Sequence, residues 1–579
     1  MISSRRDGKV SRRHAGSAEG KGIAQRCRGA EGFGVRLRTE NREPRTSIRA
    51  VALLVVGTLA AACPATPPTR APCNPTPGVL AALGPASEGA AADAAAWPAG
   101  GGGSIVTLPS EASPAVTFRI VFAGGSADDP AGREGLTQMA VRLMIEGGTE
   151  LLTYPELLRA LFPMAAHLSW NVDRDQTLVY ARVPAALLDE FYPLLLDVLT
   201  RPRMGAEDFE RLRAISESEL EDDLKVGDDE ELGKEALHAF LYEGHPYGHP
   251  TVGTVAGLAA MTLDDVRAQR DRVLCAGRVT LGIAGGFPDG FADRLSTDLA
   301  EKLPQTCVPT TPLPPPPAFS GRHVLIVEKP GNSATAMSLG FPAVAVRGDP
   351  SFPAVALGFV YFGQHRQFVG RLMQEIREKR GFNYGDYAYP EHFVQEGWSR
   401  YPAVNVARRQ QLVSIWIRPV DPADAHFVLR LALHELEDFA DGGIPDGELD
   451  RVRTFAMGYF NLYRQTESRR LGYAIDERFA GLDEPLLDGL LAAWPGLDAA
   501  GVRAAVARAV TAEDVKIAIV APDGAALAEA LASDAPSPKE YDAPKGDDIL
   551  AVDASIAGLP LRIPCENIRI VPVSEIFAR

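Results

Sequence analysis

Apolar residues recur along this chain with two periods, and the periods follow one another in the same order twice. Residues 116–122 (VTFRIVF) alternate, as a strand with two distinct faces does. Residues 136–146, 154–161, 186–199 and 206–224 instead return an apolar side chain every three or four positions, the spacing of amphipathic helices. A second series opens on a short apolar strand, 324–327, with 334–341 placed to pair with it, and continues into helical patterns at 354–362, 367–379 and 422–439. Strand-like runs at 279–283 and 517–520 come late in each series. Two blocks of similar length and element order predict a duplicated α+β unit, although the residue-level match between the blocks is weak.

Breaks in the pattern set the boundaries. Residues 64–104 are rich in Ala, Pro and Gly and end in a run of four glycines, which predicts a flexible tether. Residues 308–320 contain four consecutive prolines, which forbid helix and central strand and predict a stiff spacer. The domains expected are therefore 105–307 and 321–534, with a tail over 535–579. Ahead of them lies a leader, 1–63. In it Arg42, Arg45 and Arg49 precede the uncharged apolar run 50–62, too short to span a bilayer but suited to the core of a signal peptide. That run closes on Leu59-Ala60-Ala61-Ala62-Cys63, similar to the lipobox of bacterial lipoproteins, so Cys63 is the expected lipidation site and the mature chain is expected to be exported and lipid-anchored in the periplasm, at the outer membrane. An ordinary signal peptide cut at the small residues remains the alternative, and it too exports the chain.

Charge and cysteine content narrow the partners. Thirteen Lys/Arg stand against five Asp/Glu up to Arg49, a surplus of eight, so the chain's net −16 leaves −24 on the rest. So acidic a body repels a phosphate backbone, and no nucleic-acid partner is expected. Cys73, Cys275, Cys307 and Cys565 follow Cys63. In an oxidising compartment they allow three pairings; Cys275 with Cys307 is preferred because both fall in one domain.

Three segments carry a family resemblance. Residues 135–149 (GLTQMAVRLMIEGGT) resemble the helix that bears the H-x-x-E-H signature of the pitrilysin/insulinase zinc peptidases. Gly244-His245-Pro246-Tyr247-Gly248 resembles that family's HPYG loop, and residues 372–384 (LMQEIREKRGFNY) resemble its LREKRGLAY segment. The resemblance implies two homologous sheet-plus-helix domains of the pitrilysin/insulinase type around a peptide-holding chamber. It also implies a zinc ion held by two histidines four apart on a helix and a downstream glutamate, with an intervening glutamate to activate water.

The signature positions here are Gln138, Val141 and Arg142. An amide is a poor zinc ligand, valine moves no proton, and a permanent cation repels a metal. No histidine lies between His14 and His167, so no shift of register restores the site. Glu217, seven residues after Glu210, is the glutamate-ligand position implied by the resemblance, although two such carboxylates also suit a plain solvated helix face. His238, His245 and His249 do not share a helix, because Pro246 and Gly248 interrupt it, and a packed loop is expected there. In the family, an arginine and a tyrosine matching Arg377 and Tyr384 hydrogen-bond the substrate carbonyl near the metal. These two are the candidate catalytic residues, against the alternative that Arg377 is an ordinary surface ion pair. No phosphate-binding loop and no serine elbow occur.

Together these features predict a zinc-deficient subunit, not active alone, that pairs with a zinc-bearing relative to bind and cleave peptides. The chain itself is expected to hold no metal or other cofactor, the zinc lying in the partner. The alternative is a non-catalytic peptide-binding or scaffold lipoprotein of the same fold. An autonomous enzyme with another site ranks last.

Overall fold

The computed structural model of the chain describes residues 73, 75–80, 104–364, 370–397 and 400–579. The leader, the apolar run and Cys63 lie outside the described residues, as do residues 367–369 of the helix expected at 367–379. The described strands are β1 (Thr76–Pro77), β2 (Ser104–Pro109), β3 (Ala115–Ala123), β4 (His167–Val172), β5 (Gln176–Pro184), β6 (Val279–Gly285), β7 (His323–Glu328), β8 (Thr335–Pro342), β9 (Gly385–Tyr389), β10 (Leu412–Val420), β11 (Lys516–Ala521) and β12 (Ile568–Pro572). They form a five-stranded sheet in the order β2-β6-β3-β5-β4 and a seven-stranded sheet in the order β1-β12-β7-β11-β8-β10-β9. With helices layered on both, the chain is α+β with two sheet-plus-helix halves, as the periodicity predicted.

Helices Leu136–Glu146 and Tyr154–Leu161 keep their predicted bounds. The second is started by a capping box between Thr153 and Glu156. Four expectations need correction. Strands β7 and β8 do not pair, because β11 lies between them, parallel to β7 and antiparallel to β8. Every residue of β11 is buried, and only an interior position covers both of its faces. The tail over 535–579 is part of the second half: β12 runs parallel to β7, and Ile556 of helix Asp547–Ile556 enters its core. The described part of the expected tether, residues 73 and 75–80, is fixed to that tail, since β1 pairs with β12 and a Cys73–Cys565 disulfide joins the two segments. The second disulfide is Cys275–Cys307. The proline-rich segment is bound along its length rather than free. Thr311 donates through N and Oγ1 to Asp128 Oδ1 at 3.1 and 2.9 Å, and the Pro314 carbonyl accepts from Gln410 Nε2 at 2.6 Å.

Each half covers one sheet face of the other. In β3, Val116, Phe118, Ile120 and Phe122 point into the first half's own core. The alternate face, with Val121, packs on Leu471 and Ile475 of helix Glu467–Phe479, which belongs to the second half. Arg119 on that face donates from Nε to the Ser468 carbonyl at 3.0 Å and from Nη1 to Asn405 Oδ1 at 2.9 Å. The polar positions in the β3 alternation therefore mark the contact with the other half rather than solvent. Gly282 of β6 permits the approach, since a Cβ there would stand 2.7 Å from Ile475 Cδ1. Reciprocally, Ala236, Leu237 and Phe240 of helix Asp229–Leu241, from the first half, share a core with Leu325 and Val327 of β7, Leu412 of β10 and Ala518 and Val520 of β11.

Candidate functional site

The helix that should carry metal ligands is built firmly. Gly135, at φ 95°, precedes it, and a Cβ there would sit 2.5 Å from the Val252 carbonyl oxygen, so glycine lets the helix start pack on the segment that follows the HPYG loop. Asp129 caps it, its carboxylate accepting from Gly135 N and Thr137 N at 2.7 Å each and from Thr137 Oγ1 at 2.6 Å. Burial pushes the Asp129 pKa up to about 7 against those donors.

Within this helix Gln138 is half-buried, Val141 is fully enclosed in the core and Arg142 is buried. Arg142 reaches Glu219 with two charge-assisted hydrogen bonds, Nη1 to Oε2 at 2.7 Å and Nη2 to Oε1 at 2.6 Å, and donates to Ser216 Oγ at 3.0 Å. Its Nε lies 3.6 Å from Glu146, and the guanidinium stands 5.7 Å from the Trp170 ring centre. Burial works against the Arg142 charge, but the Glu219 hydrogen bonds and charge outweigh it and raise the pKa. The carboxylate brought to this helix is thus Glu219, not Glu217. Glu217 is half exposed and lies 3.9 Å from Arg213, which also pairs with Glu210 at 2.5 Å, so the two glutamates seven apart form a solvated face. The signal that would have found Glu219 is the stripe Phe209, Leu212, Ser216, Glu219. Its spacing of three and four continues the buried face of helix Ala206–Ser218 into the π-helical turn Glu219–Gly227.

A zinc ion does not fit these residues. The one carboxylate in place is neutralised by an arginine, and no imidazole stands near it. Among the described residues no group of three or more His, Cys, Asp or Glu could hold a metal. His245 and His249 are buried separately: His245 Nε2 faces the Pro314 carbonyl at 2.9 Å, and His249 Nδ1 faces Pro250 O at 2.9 Å. Burial lowers the pKa of each to about 4, so both are neutral packing groups.

Arg377 and Tyr384 lie together, away from the Arg142 helix. Arg377 closes the π-helical turn Met373–Glu378 and pairs with Glu378 at 2.9 Å. After Gly381, at φ 79°, the chain turns to Tyr384, which is 78% exposed just before β9. Both line an open cavity of about 530 Å³ whose other walls include Ser333, Pro419 and Asp421, and no residue of the first half lines it. The structure therefore keeps the arginine–tyrosine pair presented to solvent and does not bring it to Gln138, Val141 or Arg142.

A buried charge network that the sequence reading did not find joins the halves. Asp173, in the β4–β5 turn, accepts from Arg408 Nη2 at 2.6 Å and Nε at 2.9 Å and lies 3.2 Å from His392 Nε2. Burial would raise the Asp173 pKa, but Arg408 and His392 hold it well below the usual range. Arg408 Nη1 donates to His238 Nε2 at 3.0 Å. Burial, then the nearby Arg408 and Arg174 charges, keep His238 neutral. Beside it Arg409 pairs with Asp175 at 2.7 Å and Arg174 with Glu235 at 2.8 Å. The cavity left here, between Lys234, His238, Phe393, Arg408 and Trp416, is about 380 Å³, the size of a small-molecule pocket rather than a peptide chamber.

Comparison with known proteins places these halves. The model of the insulinase family (peptidase family M16) matches residues 104–255, and that of the peptidase M16 inactive domain matches residues 260–455. An uncharacterized zinc protease of Streptomyces coelicolor is 26% identical over 366 residues, covering 61% of this chain and 73% of that protein. A probable mitochondrial-processing peptidase subunit beta of Schizosaccharomyces pombe is 27% identical over 164 residues, 28% of this chain and 35% of that one. Among solved structures, the peptidase M16 inactive domain from Pseudomonas fluorescens superposes with a TM-score of 0.64 at 21% identity, covering 73% of this chain and 96% of that one. A protease from Helicobacter pylori gives 0.61 at 16% identity, covering 73% and 97%. At those identities the two structures establish the fold alone.

Proposed function

Because the chain belongs to the pitrilysin/insulinase family of peptidases, we propose that it is a zinc-deficient subunit that pairs with a zinc-bearing relative to bind and cleave peptides. The observation that carries this reading is the contrast within one chain. The metal position is closed by the Arg142–Glu219 pair, while Arg377 and Tyr384 line an open cavity with Tyr384 78% exposed. Metal and water activation belong to the partner. This chain contributes a guanidinium and a phenol hydroxyl, both donors, to the substrate carbonyl where negative charge develops. The exchanged helices support a chamber formed between two chains, since the halves of this one pack directly on each other with about 380 Å³ between them.

In the same reading the chain works outside the cytoplasm, anchored to the outer membrane through Cys63. The two disulfides, Cys73–Cys565 and Cys275–Cys307, suit an oxidising compartment. Co-expression with a zinc-bearing family member of the same source tests the pairing. The expected result is a heterodimer with one zinc per pair that cleaves peptides, while this chain alone is inert. Two chains that elute separately contradict it and leave a scaffold or peptide-capturing role.

A further inference from the structure

Asn383 and Asp386 flank Tyr384 in the turn that leads into β9. Tyr384 is 78% exposed, whereas Asn383 is 7% and Asp386 0% exposed. Asn383 Nδ2 donates to Asp386 Oδ1 at 2.5 Å. The other polar atom of each side chain, Asn383 Oδ1 and Asp386 Oδ2, is an oxygen buried without a hydrogen-bond partner. Both orphans are acceptors, and a buried acceptor left unmet is destabilising by about 1–3 kcal/mol. One proton on Asp386 meets both. Protonated at Oδ2, the carboxyl would donate to the amide oxygen while the amide N–H donates to Oδ1, a ring of two antiparallel hydrogen bonds.

We propose that Asp386 is a positioning residue for Tyr384, held neutral in a cyclic pair with Asn383, and that loss of its proton unseats the Arg377–Tyr384 pair. Burial is the main cause that pushes the Asp386 pKa up to about 8, against the Asn383 donor and the charges of Arg377 and Arg418. The charged and titratable groups around it are Arg377 on the π-helical turn, Tyr387 next along β9, and Arg418 on β10, which is itself paired with Glu230 of the first half. Once ionised, the carboxylate repels the Asn383 oxygen and draws the Arg377 guanidinium toward the sheet, away from the open cavity. The consequence for peptide cleavage rests on the function proposed above; the proton itself does not.

The test follows Tyr384 in the full chain by NMR of ring-¹³C-tyrosine, its signal assigned with Tyr384→Phe, from pH 6 to 9.5. In wild type the Tyr384 signal should move with a midpoint near 8, that of Asp386. In Asp386→Asn, which keeps a neutral amide pair, it should stay at its low-pH position through that midpoint. A wild-type signal that is flat through pH 8 overturns the proposal, as does the same movement in Asp386→Asn. A thermal-unfolding series gives a second reading. A carboxyl whose folded pKa is raised contributes stability that is complete below its unfolded value near 4 and is lost as pH rises through 8. Asp386→Asn should therefore flatten the fall in midpoint between pH 6.5 and 8, and an unchanged slope overturns the buried proton. If the Tyr384 signal behaves as stated but Arg377→Ala leaves cleavage by the heterodimer unaltered, the proposed function fails and this inference stands.

Discussion

Within helix Leu136–Glu146 the Arg142 guanidinium supplies the positive charge that a metal ion would supply, and it holds both oxygens of the Glu219 carboxylate. Two hydrogen bonds to Glu219, one to Ser216 and the nearby Glu146 fix the guanidinium against the carboxylate that a metal would need. Purified without chelator, the chain should therefore contain no stoichiometric zinc, and one tightly held zinc per chain in elemental analysis would contradict the geometry. Arg142→Ala leaves two carboxylates without a counter-charge and should lower stability by about 1–3 kcal/mol. The lower end is expected because Glu219 keeps about a third of its side chain in water. The assignment of Glu219 over Glu217 has its own check. Gln138→His with Arg142→His puts two imidazoles four apart on one helix face. That variant should gain zinc binding that Glu219→Ala abolishes and Glu217→Ala does not. Loss with Glu217→Ala instead would return the ligand role to Glu217.

At the scale of elements, the exchanged helices carry the packing. Leu471 and Ile475 belong to the second half but complete the core against Val106, Val121 and Leu178 of the first-half sheet. Truncating both to alanine should cost about 2–5 kcal/mol each, and hydrogen exchange should accelerate in β2, β3 and β6. Acceleration confined to the second half would contradict the exchange. This arrangement also explains what could be read in the chain and what could not. Helix Tyr154–Leu161 was legible because one face is apolar and the other meets water, and helix Leu136–Glu146, though enclosed almost all round, was legible because its apolar residues return at helical spacing. Helices Asp229–Leu241 and Glu467–Phe479 each pack on the sheet of the other half, a placement that nothing in their own patterns marks, and neither was predicted. Strand β10 is buried on both faces through most of its length and shows no alternation. The replacements at Gln138, Val141 and Arg142 and the Arg377–Tyr384 spacing were marked in the sequence only through the family resemblance. Glu219 was hidden by the change from α to π winding at its own position, and the Asn383–Asp386 pair by the absence of any motif that marks it.

For the whole molecule, the two halves are joined through buried charges that acid should loosen. Because burial depresses the folded pKa of His238, its neutral form contributes stability that is complete above the unfolded value near 6.5 and is lost as pH falls below it. His238→Gln keeps an acceptor for Arg408 and cannot take a proton. Between pH 6.5 and 4 wild type should therefore lose more stability than this variant, while the other titrating groups act equally in both. Parallel curves would show that His238 protonation plays no part.

The central claim is that one chain brings the carbonyl donors and another the metal, and peptide cleavage by the assembled pair measures it most directly. The zinc-bearing relative alone, this chain alone, the wild-type pair, and pairs carrying Arg377→Ala or Tyr384→Phe would be compared at equal zinc content. The account predicts cleavage by the wild-type pair alone at full rate. Arg377→Ala should slow it by roughly a hundredfold to a thousandfold, the scale for losing one such donor, and Tyr384→Phe should slow it with the pair still assembled. Equal cleavage by the relative without this chain, or an Arg377→Ala pair as fast as wild type, would contradict it.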